Sequence, residues 1–117
     1  MPSMFASLAH LNQSRDPAVN QRRAQRDLVD MVSHIAAQGR SHGARIINIS
    51  AFGLMCRTEA RLAIGERVTI WLPVVKDHAG EVRWVEDGRV GVEFLQRIEP
   101  RLYDSMLSLI PPRQTAW

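Results

Sequence analysis

From Leu28 to Phe94 the chain falls into short β-prone runs between turn signals, and in several of them the large apolar residues alternate with polar ones. A repeat of two is the mark of a strand with one face buried, because successive side chains of a strand point to opposite sides. The clearest run spans residues 67–75, where Val68, Ile70, Leu72 and Val74 alternate with Arg67, Thr69 and Trp71. Residues 28–35, 44–49, 52–57, 81–85 and 89–94 read as further short strands. Gln38 to Gly43 reads as a loop, Ser50-Ala51 as a turn, Leu62 to Glu66 as the end of a connection, and Lys76 to Gly80 as a turn. About six antiparallel strands with one apolar face close most simply into a small barrel, which leaves no exposed edge.

The last two runs flank Asp87-Gly88 and raise a question of register. A two-residue turn would pair Trp84 with Gly91 and set Val82 and Trp84 on the face opposite Val90, Val92 and Phe94. A three-residue loop, Glu86-Asp87-Gly88, pairs Trp84 with Val90 and Val82 with Val92, so all the large apolar residues share one face. The three-residue loop is therefore expected. It points Arg83 outward, diagonal to Glu93, and makes Trp84 a core residue or a stacking surface at the barrel rim. After the strands, Ile98, Leu102, Met106, Leu109 and Ile110 recur at helical spacing. Pro100 suits a first helical turn, and Pro111-Pro112 ends the segment, giving a helix of about ten residues. The fold class expected is all-β: a six-stranded antiparallel barrel with a C-terminal α-helix.

At 117 residues the chain fits one domain, since single cores form in units of about 100–150 residues. Residues 1–20 read as a flexible tail in which Met4, Leu8 and Leu11 allow at most one weak helical turn. Residues 21–110 read as the domain and 111–117 as a second tail. The single cysteine, Cys56, excludes an intrachain disulfide and a Cys-based zinc site. It favours a reducing compartment, and no apolar run approaches the roughly 18–20 residues of a membrane span. The N-terminus lacks the pattern of a secretory signal, so a cytoplasmic protein is expected. His10, His34, His42 and His78 lie in unrelated segments, and no nucleophile–base set is visible. Neither an enzyme, a metal site nor a cofactor is expected.

Two short patterns stand out. Arg22-Arg23-Ala24-Gln25-Arg26 places two arginines four apart just before the first strand, and Asn48-Ile49-Ser50-Ala51-Phe52-Gly53 lies between the second and third strands. Taken singly, the first is an ordinary solvated basic arm and the second an ordinary turn. Taken together they resemble the two-part signature of the PilZ domain, Arg-x-x-x-Arg followed by (Asp/Asn)-x-Ser-x-x-Gly. Arg22, Arg26, Asn48, Ser50 and Gly53 match all five positions. Leu62-x-x-Gly65-x-x-Val68, Val82-Arg83-Trp84-Val85 and Gly91-Val92-Glu93-Phe94 resemble other segments of that family, so the likeness covers about residues 21–110. Asn48 stands where many members carry Asp.

The resemblance implies a bacterial domain that binds cyclic di-GMP through the arm and the turn. The chemistry of the residues agrees. Fourteen of the 15 basic residues are arginine, and a guanidinium can donate two parallel bonds to guanine O6 and N7, bridge phosphate oxygens, or stack on a base. Arg22, Arg23 and Arg26 would wrap the ligand. Asn48 would accept from guanine N–H groups, Ser50 would reach a phosphate or base edge, and Gly53 would admit close backbone approach. Arg45 and Trp84 are secondary candidates. Since only tails accompany the domain, an effector protein is expected to receive the signal, and the domain itself is expected to be a monomer or weak dimer. The net charge of +3 separates none of the alternatives. One is a PilZ-fold interaction module that binds no nucleotide. Another is a barrel for single-stranded nucleic acid, which seven aromatic residues on mostly apolar faces disfavour.

Overall fold

The computed structural model describes residues 26–112; residues 1–25, with Arg22 and Arg23, and residues 113–117 lie outside the described residues. Six strands are followed by one helix: β1 (Asp27–Ala37), β2 (Arg40–Ser50), β3 (Gly53–Thr58), β4 (Arg67–Leu72), β5 (Lys76–Glu86), β6 (Arg89–Phe94) and α1 (Pro100–Leu107). All pairings are antiparallel, in the order β1-β2-β3-β6-β5-β4, and β4 returns to β1 to close the barrel. The expected fold class is the one found.

Turn geometry moves several of the expected boundaries. Gln38 and Gly39 both take left-handed φ values, 57° and 74°, the condition of a tight two-residue hairpin turn. Ala37 therefore pairs with Arg40, and the segment read as a loop to Gly43 belongs to β2. The β4–β5 hairpin turns at residues 73–75, not at 76–80. Pro73 offers no N–H to the ladder, Val74 has φ 70°, and the Val75 N–H donates to the Pro73 carbonyl at 2.6 Å. Leu72 then pairs with Lys76, and Val74 lies 40% exposed in the turn instead of facing the core.

The β5–β6 hairpin corrects the register argument. Asp87 (φ 51°) and Gly88 (φ 78°) form a two-residue turn, so Trp84 pairs with Gly91 and Val85 with Val90. The mismatch of faces that this would cause is removed by a bulge. Arg83 is an extra residue in β5, and beyond it Val82 pairs with Val92 as expected. Trp84 is left half-buried on the outer face, seated over Gly91.

Inside the barrel, Ile35, Ile46, Ile49, Leu54, Leu72, Val82 and Val92 are inaccessible to solvent. Each such side chain contributes roughly 1.5–3 kcal/mol relative to an exposed one. The helix α1 closes the end at which β1 begins and β2 ends. Its N-terminus is capped by Glu99, whose carboxylate accepts from the Leu102 N–H at 3.2 Å. Ile98, Met106 and Ile110 enter the same core, with Tyr103 and Leu107 packed against it. Three residues of the expected stripe, Ile98, Met106 and Ile110, thus face inward, whereas Leu102 and Leu109 are 45% and 63% exposed. Tyr103 takes the inward place because its hydroxyl finds acceptors there. Past the helix, the Asp30 N–H donates to the Pro111 carbonyl at 3.0 Å, and Pro112 bridges to Val29.

Gly80 is a close-packed point of the barrel. A Cβ placed there would meet Val92 Cγ1 at 2.6 Å and the Glu93 carbonyl oxygen at 2.9 Å. The backbone oxygen cannot swing aside. Gly80→Ala is expected to lose about 1–3 kcal/mol of stability, read as a lower urea midpoint with an unchanged slope.

Candidate functional site

The polar turn begins with a second irregularity. Ile46 pairs with Cys56 and Asn48 with Met55, which makes Ile47 an extra residue in β2. Strict alternation from Ile46 would send Asn48 into the core. The bulge reverses the phase, so Ile49 enters the core and Asn48 and Ser50 turn to the outer side. Asn48 is nonetheless only 8% exposed, and its Oδ1 has no hydrogen-bond partner among the described residues. A buried acceptor without a donor costs roughly 1–3 kcal/mol.

Ser50 is 1% exposed. Its hydroxyl accepts from the Phe52 N–H at 3.0 Å and lies 3.5 Å from the Gly53 carbonyl. In the domain described, this side chain therefore shapes the turn. Gly53 has no left-handed φ, so what it contributes is the lack of a side chain opposite Ser50 and Glu93. The turn is tied from outside by two backbone bonds. Ile98 N–H donates to the Ala51 carbonyl and Phe94 N–H to the Phe52 carbonyl, each at 2.8 Å.

Arg26 immediately precedes β1. Asp27 pairs with Ile49 and Leu28 with Asn48, so the arm leaves the barrel beside Asn48 and Ser50, one strand spacing or about 5 Å away. Desolvation lowers the Arg26 pKa from its usual value, but arginine starts so high that the side chain stays cationic at neutral pH. Four of the expected residues, Arg26, Asn48, Ser50 and Gly53, are thus brought to one end of the outer face. Arg22 and Arg23 fall outside the described residues.

The two secondary candidates sit further off. Arg45 lies on the outer face and pairs with Asp30 at 3.0 Å. Trp84 shares a row with Asn48: the cross-strand partners run Asn48, Met55, Gly91, Trp84. Its ring lies so close over Gly91 that a Cβ there would fall 2.0 Å from Nε1.

Several residues that sequence reasoning missed border this surface. Arg45 pairs across the strands with Arg57, and Arg57 with Arg89, so three cations stand in one row next to the Asn48 row. Like charges directly opposite one another disfavour a sheet. Nothing in the linear order announces that row, because it exists only once three strands are in register. Opposite Gly53 lies Glu93, and its neighbour across β5 is Glu81. Arg83, the bulged residue, bridges them with Nε 2.8 Å from Glu93 and Nη1 3.3 Å from Glu81. Tyr103 and Asp27 were likewise not singled out.

Other chemistries find little footing among the described residues. No group of three or more His, Cys, Asp or Glu could hold a metal ion, and no helix is long and apolar enough to cross a membrane. Cys56 is buried, and desolvation pushes its thiol up to about 12. A thiol that stays protonated is a poor nucleophile.

The described domain is thus a closed six-stranded barrel with a helix over one end, in which Arg26 stands beside a polar turn that carries a buried, unpaired acceptor. The family model for the PilZ domain matches residues 20–110, and the chain belongs to that family. A solved structure with a similar fold is the PlzA protein of Borreliella burgdorferi in complex with c-di-GMP. Its TM-score is 0.56 at 11% identity, over 85% of this chain and 42% of that one. This chain therefore spans less than half the length of that protein, and the likeness is one of fold. A search of curated proteins finds no match.

The Arg83 bridge gives a pH-dependent expectation. Desolvation, aided by Glu81 and opposed by Arg83, raises the Glu93 pKa. Ionising Glu93 thus weakens the fold as pH rises through the carboxylate range. Arg83→Met removes the one opposing influence. The variant should be about 1 kcal/mol less stable than wild type at pH 7. The gap should close as pH falls below about 4, where the carboxyl groups protonate in both states. Urea melts at the two pH values measure it; a gap that widened in acid would contradict the assignment.

Proposed function

We propose that this domain is a receptor for cyclic di-GMP. Arg22, Arg23 and Arg26 close over the dinucleotide and hold it against the barrel face that carries Asn48, Ser50 and Gly53. The single observation that carries the proposal is the Asn48 carbonyl oxygen, buried and unpaired beside the point where the arm leaves the barrel. An acceptor in that state calls for a ligand with N–H donors, which a guanine edge supplies. The arginines supply the complementary half, fork-shaped donors for O6 and N7 and positive charge for two phosphates. Family membership and the fold shared with a c-di-GMP-bound protein support the choice of ligand.

The barrel forms the rigid half of the site, because β2 and β3 are locked in register on either side of the turn. The arm contributes the cations, Arg22, Arg23 and Arg26, that complement the phosphates and the guanine acceptors. The ligand-bound surface, arm included, then serves as the face read by an effector protein.

Calorimetric titration with cyclic di-GMP tests the proposal. Wild type is expected to bind at micromolar ligand or below. Arg22→Ala and Arg26→Ala should each weaken binding about 10- to 100-fold, the equivalent of roughly 1–3 kcal/mol for a lost bidentate contact. Asn48→Ala should weaken it about tenfold while leaving the unbound domain no less stable, since no internal bond is lost. Absence of binding by wild type at tens of micromolar ligand would sink the receptor role. Wild-type affinity in all three variants would sink the site.

A further inference from the structure

We propose that Tyr103 of α1 is a positioning residue for the dinucleotide site, fixing the strand ends that carry Arg26 on one side and Asn48 and Ser50 on the other. The inference rests on the receptor reading above and adds a residue outside both parts of the signature.

The Tyr103 hydroxyl donates to Asp27 Oδ2, with the Ile49 carbonyl oxygen 3.1 Å away as a second acceptor within reach. Asp27 is the residue after Arg26. Ile49 lies between Asn48 and Ser50, and Asp27 and Ile49 are themselves cross-strand partners. One hydroxyl group therefore touches both halves of the site at the points nearest to their functional side chains. Among the described residues it is also the one side chain of α1 that hydrogen-bonds to β1 or β2. Two further ties of the C-terminal segment at this end of the barrel run through backbone atoms, Ile98 N–H to Ala51 and Asp30 N–H to Pro111.

The lever behind the hydroxyl is stiff. Tyr103 is half-buried, its N–H is bonded to the Glu99 carbonyl at 2.9 Å, and Met106 one turn on is wholly buried in the core. Burial and the Asp27 carboxylate push the Tyr103 pKa far up, so the hydroxyl keeps its proton and remains a donor at any working pH. Held towards α1, the Asp27 carboxylate fixes the path of the chain as it leaves β1 and enters the arm. Ile49 is inward-facing and buried, and a tether on its carbonyl fixes the stretch of β2 whose phase the Ile47 bulge has reversed. Pre-organisation of this kind raises affinity by reducing the ordering that binding must impose. No contact between Tyr103 and the ligand is required.

Three variants and a control separate positioning from simple loss of stability. Tyr103→Phe keeps the ring and its packing and removes only the hydroxyl. Asp27→Ala removes the acceptor, and the double variant closes the cycle. Ile70→Val, in the core away from the turn, costs about 0.5–1.5 kcal/mol of stability and touches neither half of the site. Titration with cyclic di-GMP should show Tyr103→Phe and Asp27→Ala each weakened about tenfold. The double variant should be no weaker than Tyr103→Phe, because phenylalanine already removes the hydroxyl that Asp27 accepts from. Ile70→Val should bind as wild type does despite its lower melting temperature. Wild-type affinity in Tyr103→Phe, or an equal loss in Ile70→Val, overturns the positioning role while leaving the receptor reading intact. Failure of wild type itself to bind overturns both.

Discussion

One residue, Ile47, sets the phase of the strand on which the site depends. A barrel with a single apolar interior demands that every strand keep its large side chains on one side. In β2 the sequence places isoleucine at 46, 47 and 49, and no strict alternation can bury both Ile46 and Ile49. Inserting Ile47 as a bulge buries both, and as a consequence turns Asn48 and Ser50 away from the interior. The polar pair is thus presented by a packing requirement of the core. The same device recurs in β1, where two residues oppose Ile47, and in β5, where Arg83 is the inserted residue. Bulges bend and twist strands, which a six-stranded sheet needs in order to close.

A second dependence runs from the chain's end back to its beginning. The segment after β6 bonds to Ala51 of the turn, passes through α1, and returns to Asp30 in the β1 bulge. Tyr103 adds a side-chain link to the first residue of β1. The helix closes one end of the barrel, and its Tyr103 hydroxyl meets both the first residue of β1 and the stretch of β2 that leads into the turn.

Much of this was open to view in the linear chain, for reasons that can be stated. The paired arginines and the Asn-x-Ser-x-x-Gly turn lie within single short segments, so their spacing is visible without any knowledge of the fold. The barrel was visible because alternation survives in most runs, including Val68, Ile70 and Leu72 of β4. The expectation failed where two local signals competed. At residues 73–80 the stretch Lys76 to Gly80 reads as the turn, but Pro73 lacks a ladder donor and the chain turns there instead. At the last hairpin the apolar pattern was weighed against the Asp-Gly turn. Both were satisfied, through a bulge that no local pattern marks. In α1, helical spacing could not say whether Leu102 or Tyr103 faced inward, since that depends on acceptors 54 and 76 residues away.

The sequence by itself determined the class of fold, the order of its elements, the family, and the four-residue spacing of arginines that marks the arm. Those properties live in periodicity and short motifs, which are local. Only the tertiary structure decided that Arg26 stands beside Asn48, that the Asn48 oxygen is buried without a donor, and that the Tyr103 hydroxyl reaches both Asp27 and Ile49. It also decided that Arg45, Arg57 and Arg89 form one row and that Trp84 lies outside the core. Each of these rests on the register between strands distant in sequence, and a bulge of one residue is enough to turn a side chain from the core to the surface.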